Sequence, residues 1–83
     1  MFEVRLTRQP QRYLAKAPEG ARGRLQACFE RLEAEPFRIA EPLHGPLQGM
    51  WKTRVGGLRL ILEIDIDTKR IRIIYIGPRG DVY

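Results

Sequence analysis

The chain has 83 residues, enough for one domain with a small hydrophobic core, so we treat residues 1–83 as a single domain. Its 15 Lys and Arg against 10 Asp and Glu give a formal net charge of +5, which favours a polyanionic partner such as nucleic acid or an acidic protein segment. The single cysteine, Cys28, excludes an internal disulfide, and the sequence offers no Cys/His cluster for a metal ion.

The first ten residues, MFEVRLTRQP, lack the apolar run of a signal peptide. No stretch of the sequence approaches the roughly 20 apolar residues that a membrane span needs. We therefore expect a cytoplasmic protein that binds no membrane, no metal and no cofactor.

The first half of the chain predicts a strand followed by two helices. Residues 2–6 alternate apolar and charged side chains, and Thr7 is suited to cap a short helix that ends near Pro18. From residue 21 to Pro36, apolar residues recur at helical spacing, which indicates a longer amphipathic helix packed on a core. The apolar stripe of this helix consists of Leu25, Cys28, Phe29 and Leu32.

Residues 36–49, PFRIAEPLHGPLQG, predict an irregular connection. Three prolines and two glycines fit neither the helical nor the strand period. We expect His44 at the surface of this loop and Arg38 to lie away from the sheet.

Residues 50–83 predict three strands, the first two joined by a two-residue turn at Gly56-Gly57. This turn places Val55 opposite Leu58 and Arg54 opposite Arg59. The hairpin then has a core face and a polar face. The core face carries Trp51, Thr53, Val55, Leu58, Leu60 and Leu62, and the polar face carries Lys52, Arg54, Arg59, Ile61 and Glu63.

Like charges directly opposite each other destabilise a strand pair by up to roughly 1 kcal/mol. The fold itself has no use for Arg54 across from Arg59, so this pair favours a functional interpretation.

The last predicted strand, residues 70–76, is expected in the interior of the sheet. Strict alternation puts Ile71, Ile73 and Tyr75 on one side and Ile74 and Ile76 on the other. Gly77 and Pro78 are expected to end the strand and let residues 79–83 return beside the polar face. The sequence thus predicts an α+β fold, with an N-terminal strand and a helical hairpin packed on a curved, mostly antiparallel sheet of about four strands.

Two segments carry a resemblance to a known family: residues 47–65, LQGMWKTRVGGLRLILEID, and residues 76–83, IGPRGDVY. Together with the order of the elements, they resemble the RelE/ParE superfamily of toxins from toxin-antitoxin systems. The resemblance covers the whole chain and is closer to the RelE ribonucleases than to the ParE proteins that poison gyrase. It implies a RelE-like fold and an mRNA interferase that acts in the ribosomal A site, with a cognate, RelB-like antitoxin as partner.

The resemblance also implies a catalytic set. The RelE pattern falls here on Lys52, Arg54, Arg59, Arg79 and Tyr83. The segment around Glu41 is similar to the YoeB subgroup, in which a glutamate at this position is the general base. A histidine that this subgroup carries near its C-terminus is missing here, which leaves the base open.

The chemistry of RNA cleavage by the neighbouring 2′-hydroxyl assigns roles to these residues. Arginine stays charged and binds phosphate oxygens bidentately, so Arg59 and Arg79 are expected to stabilise the transition state. The base is Lys52, Tyr83 or Glu41, and Lys52 with Tyr83 ranks ahead because a cluster of cations makes an ammonium easier to deprotonate. Tyr83 is alternatively a platform that stacks on an RNA base.

Two other classes of function remain open from the sequence. One is a ParE-like topoisomerase poison without catalysis, and the other is a non-catalytic RNA-binding module. Neither needs a terminal tyrosine beside an arginine, so the ribonuclease is the leading hypothesis.

Overall fold

The computed structural model describes residues 1–78 of the chain. Within this range no helix is long and apolar enough to cross a membrane. The elements follow in the order β1 (Glu3–Leu6), α1 (Arg8–Lys16), α2 (Glu19–Ala34), α3 (Pro36–Ile39), β2 (Glu41–Pro42), β3 (Trp51–Val55), β4 (Leu58–Asp65) and β5 (Arg70–Pro78), with a 3-10 helix at Gly45–Leu47.

The strands form one sheet in the order β1-β5-β4-β3-β2. Strand β1 pairs with β5 in parallel, and the other neighbours are antiparallel. This confirms the α+β class and the interior position of β5. The sheet has a fifth strand, because residues 36–49 are more ordered than their composition predicts: Pro36 begins α3, and Glu41–Pro42 pairs with β3.

The β3–β4 hairpin has the register that the sequence predicts, with Val55 opposite Leu58 and Arg54 opposite Arg59. Gly56 has a φ of 58°, whereas Gly57 does not adopt a positive φ. A positive φ at the first turn position is what a type II′ turn requires, and glycine supplies it without strain.

The core lies between helix α2 and the inner face of the sheet. The α2 stripe of Leu25, Cys28, Phe29 and Leu32 is buried, as expected. Trp51 also packs on this side, and its ring meets Phe37 edge-on with centroids 5.2 Å apart. The fully buried residues of the sheet are Leu60, Leu62, Ile71, Ile73 and Ile76.

Thr7 precedes α1, but its side chain makes no capping hydrogen bond. Its hydroxyl instead donates to the carbonyl oxygen of Ile73 at 2.9 Å. The predicted cap is therefore wrong in detail, because the hydroxyl is turned toward β5 and donates to its backbone instead of accepting from the first N–H groups of α1.

Strand β5 contains a β-bulge that the sequence analysis did not predict. Ile61 pairs with Tyr75 and Leu62 pairs with Ile73, which leaves Ile74 as the extra residue. Beyond the bulge the two faces exchange, so Ile76 is buried in the core and Tyr75 lies on the opposite face. The predicted sides of these two residues were wrong for this reason.

Strand β5 also continues to Pro78 instead of ending at Gly77. Gly77 pairs with Arg59, and Pro78 pairs with Leu58 at the end of the ladder. A proline is tolerated at this place because few ladder hydrogen bonds remain to be made.

Candidate functional site

Two neighbouring rows of residues run across the face of the sheet that lies opposite the helices. Directly paired residues point to the same side of a sheet, so the strand pairing defines each row. The first row is Glu41, Lys52, Ile61 and Tyr75, and the second is Arg54, Arg59 and Gly77. We call these seven residues the basic face.

The three predicted cationic residues of the hairpin lie together on this face. Arg54 is exposed, and Lys52 and Arg59 are half-buried. The Nε atom of Arg59 is enclosed, which limits the freedom of its guanidinium group. A fixed, charged guanidinium next to two further cations suits the recognition of a phosphate group.

Glu41 lies directly opposite Lys52 in the β2–β3 pair. Two of the three candidates for the general base are therefore neighbours at one edge of the basic face. Glu41 lies at this position because the short strand β2 pairs with β3. The loop predicted for this segment did not imply such a position.

Arg79 and Tyr83, the other two predicted site residues, lie outside the described residues. Their roles stay predictions. His44 is exposed beside the 3-10 helix, in keeping with a surface residue.

Tyr75 is a member of the basic face that sequence reasoning missed. It is half-buried and lies across β4 and β3 from Lys52 and Glu41, in the same row. Strict alternation from Ile71 and Ile73 assigned it to their side, and only the bulge reverses this. The one sequence signal was the glycine two residues later, which is typical of an irregular or closely covered strand.

A cleft of about 660 Å³ adjoins the basic face at the outer edge of β3. Arg24 and Arg31 of α2 and Arg38 of α3 line it together with Lys52 and Arg54. The expectation that Arg38 lies away from the sheet was wrong, because α3 folds back beside β3. Arg24 and Arg31 were missed, although their spacing of seven residues places them on one face of a helix.

Glu63 and Arg72 form an ion pair on the same side of the sheet, with Nη1 and Oε1 2.8 Å apart. They are directly opposite each other in the β4–β5 ladder. Glu63 thus neutralises a cation beside the basic face.

Cys28 lies under the cleft but belongs to the core, with 8% of its surface exposed. Burial raises the pKa of its thiol, and the nearby Arg31 charge partly opposes this. A raised pKa keeps the thiol protonated at neutral pH, which is typical of a packed cysteine and not of a nucleophile.

Comparisons with known proteins agree with this fold. Residues 4–83 match the family model for the ParE toxin of the type II toxin-antitoxin system, parDE. Over 83 residues the chain is 31% identical to Toxin RelE of Mycobacterium tuberculosis (strain ATCC 25618 / H37Rv), and the match covers 99% of this chain and 86% of the relative.

Two similar solved structures are complexes. The crystal structure of the toxin-antitoxin complex RelBE2 from Mycobacterium tuberculosis matches with a TM-score of 0.86 and 29% identity, over 94% of this chain and 98% of that chain. The archaeal RelE-RelB complex from Pyrococcus horikoshii OT3 matches with a TM-score of 0.79 and 25% identity, over 98% of both chains.

The family match and the curated relative show that the protein is a toxin of a type II toxin-antitoxin system. More narrowly, the chain belongs to the RelE/ParE superfamily.

Proposed function

We propose that this toxin is an endoribonuclease that cleaves mRNA in the ribosomal A site by attack of a 2′-hydroxyl on the adjacent phosphate. The observation that carries the proposal is the placement of Arg54 directly opposite Arg59, beside Lys52, on the face that the helices leave open. The resemblance of the chain to RelE supports the choice of mRNA as substrate.

Cleavage needs a group that takes the proton of the 2′-hydroxyl, a cation that stabilises the charge on the phosphate, and a donor that protonates the 5′-oxygen as its bond to phosphorus breaks. The basic face supplies the first two of these groups. Arg59 is enclosed enough to be oriented, so it is suited to stabilise the charge that develops on the phosphate. Lys52 and Glu41 are adjacent, so either of them, or Tyr83, takes the proton of the 2′-hydroxyl. Arg79 is proposed to share the charge stabilisation with Arg59.

A cognate antitoxin is proposed as the protein partner. Two similar solved structures are toxin-antitoxin complexes, one of them a RelE-RelB complex, and this chain carries a net charge of +5. An acidic antitoxin segment that covers the basic face would neutralise these cations and block the substrate.

Binding between such oppositely charged surfaces weakens with salt, so co-purification with the antitoxin should be lost in high salt and after reversal of Arg54 and Arg59 to glutamate. If binding survives both changes, the antitoxin contacts the helices instead.

The test of the nuclease is cleavage of mRNA by the purified chain, with and without programmed ribosomes. The wild-type chain should cut the mRNA with programmed ribosomes present and leave a 2′,3′-cyclic phosphate. Arg59→Ala should lower the rate by roughly 100- to 1,000-fold. Arg12→Ala is the matched control, because Arg12 is exposed on α1 and outside the basic face.

A topoisomerase poison is the second candidate, because the matching family model describes a ParE toxin. That function requires binding of a protein and no cleavage of RNA. Trapped DNA breaks with intact mRNA would favour it over the nuclease.

A further inference from the structure

The ring of Tyr75 lies across Gly77 on the basic face. A Cβ atom built on Gly77 would be 2.5 Å from Cζ and 2.6 Å from Cε2 of Tyr75, and closer still to the phenol oxygen. Real Cβ atoms are not found at such distances, so the phenol occupies the place where a side chain at position 77 would begin. Glycine is required at position 77, because any other residue would place its Cβ atom where the phenol lies.

This position is directly across the ladder from Arg59, because Gly77 and Arg59 are paired. Side chains of directly opposed residues begin about 4.5–5.5 Å apart. The phenol therefore lies where the side chain paired with Arg59 would be, although Tyr75 itself is paired with Ile61.

The residues that pair with Tyr75 and Gly77 are fully or partly buried. Ile61, which is paired with Tyr75 on the same face, is only 4% exposed, and the Nε atom of Arg59 is shielded from solvent. A guanidinium group has five N–H donors and no acceptor, whereas a phenol oxygen accepts a hydrogen bond and donates one. The two groups are thus chemically complementary.

We propose that Tyr75 is a positioning residue of the nuclease, and that its phenol holds the guanidinium of Arg59 in the orientation that meets the phosphate. This inference rests on the proposed function. An arginine that is already fixed gives up less rotamer freedom when it binds the transition state, so Tyr75 acts on catalysis through Arg59. The bulge at Ile74 and the glycine at position 77 are the features of the backbone that place the phenol there.

Two variants test the hydroxyl and its position separately. Tyr75→Phe keeps the ring and removes the hydroxyl, and Gly77→Ala keeps the hydroxyl and displaces the ring. Both should lower kcat by roughly 10- to 100-fold, the effect expected for a hydrogen bond to a charged group, with little change in KM. The matched controls are Tyr13→Phe on α1 and Gly57→Ala, where a Cβ atom has open space within 4 Å.

A coupling measurement separates this role from a purely structural one. In an Arg59→Ala background, Tyr75→Phe should have almost no further effect on the single-turnover rate. The single variant Tyr75→Phe should have the same thermal midpoint as the wild-type chain. A loss of equal size in both backgrounds would overturn the proposal, and so would wild-type kcat in Tyr75→Phe.

The orientation of Arg59 is also measurable without activity, by NMR of the arginine Nε–H groups in the free chain. The Arg59 signal should exchange slowly with water in the wild-type chain and in Tyr13→Phe, and much faster in Tyr75→Phe. A wild-type chain that fails to cleave RNA would contradict the proposed function, and this exchange rate would still decide whether Tyr75 holds Arg59. Unchanged exchange in Tyr75→Phe would overturn the inference.

Discussion

Arg54 and Arg59 stand directly opposite each other in the β3–β4 ladder, on the face of the sheet that the helices do not cover. Two cations in this arrangement repel each other, and the repulsion lowers the stability of the hairpin. The protein tolerates this one pair away from the turn of the hairpin, which is expected where a binding surface is worth more than the stability it removes.

Replacement of Arg54 by glutamine should therefore stabilise the fold while it weakens function. We expect the free energy of unfolding to rise by roughly 0.2–1 kcal/mol, because the cross-strand repulsion is relieved. RNA cleavage should fall at the same time. Urea unfolding and a cleavage assay on the same preparation measure both effects.

Arg12→Gln, on the exposed side of α1, is the control for the loss of one positive charge. It should leave both quantities within experimental error. A destabilised Arg54→Gln chain would mean that Arg54 makes a structural contact stronger than the repulsion.

Gln9 should be important for stability because its side chain makes the hydrogen bonds to β5 that a longer β1 would make. Pairing of β1 with β5 ends at Leu6 and Ile73. Beyond this point the Gln9 side chain donates to the Ile76 carbonyl oxygen at 2.7 Å and accepts from the Ile76 N–H at 2.8 Å. Gln9→Leu leaves both buried groups of Ile76 without these partners, and we expect a loss of roughly 1–3 kcal/mol in urea unfolding.

Gln11→Leu is the matched variant, because Gln11 donates one exposed hydrogen bond, to the Leu6 carbonyl oxygen. Water replaces an exposed bond readily, so its loss should cost well under about 1 kcal/mol. Equal losses from both variants would show that the pairing with Ile76 has no special importance.

Cys28 should make stability depend on pH in the alkaline range. Burial raises the pKa of its thiol above the ordinary value of 9.0, so the folded chain holds the proton longer than the unfolded chain does. The stabilisation is complete at pH values below the ordinary thiol range and decreases as the pH rises through the folded-state value.

The measurement is the difference in unfolding free energy between the wild-type chain and Cys28→Ala. This difference should be constant near neutral pH and shrink as the pH rises above about 9. A constant difference would place the thiol in a more solvated position than the structure does.

Glu63 should limit the affinity of the sheet for RNA. Its carboxylate accepts a charge-assisted hydrogen bond from Arg72 at 2.8 Å, and both side chains are partly exposed. Glu63→Gln should change stability by less than about 1 kcal/mol, as for other surface pairs. It should raise the affinity for a single-stranded RNA oligonucleotide and steepen its salt dependence, because one more cation faces the ligand. Unchanged binding would place the RNA path away from Arg72.

The hairpin and its charged rows were predictable because two local rules agree. A two-residue glycine turn fixes the register, and period-two alternation then assigns Lys52, Arg54 and Arg59 to one face. The stripe on α2 followed in the same way from the helical period. Each of these rules depends only on residues close together in the chain.

Features that depend on distant residues were not predictable. The bulge at Ile74 is supported by Thr7 and Gln9, which are far away in the sequence, and it decides which face Tyr75 occupies. Strand β2 has two residues and is specified by its pairing with β3, which no local period reveals. The place of Arg38 in the wall of the cleft was likewise not predictable, because it depends on how α3 packs beside β3.

The central claim is that the basic face cuts RNA, and the most direct measurement is a map of mRNA 5′ ends in cells that express the toxin. The account predicts cuts within codons at the ribosomal A site, which disappear together with growth inhibition in an Arg54→Ala, Arg59→Ala double variant. The same cells should show no excess of DNA breaks. Growth inhibition that persists in the double variant, with DNA breaks and intact mRNA, would contradict the account and identify a topoisomerase poison instead.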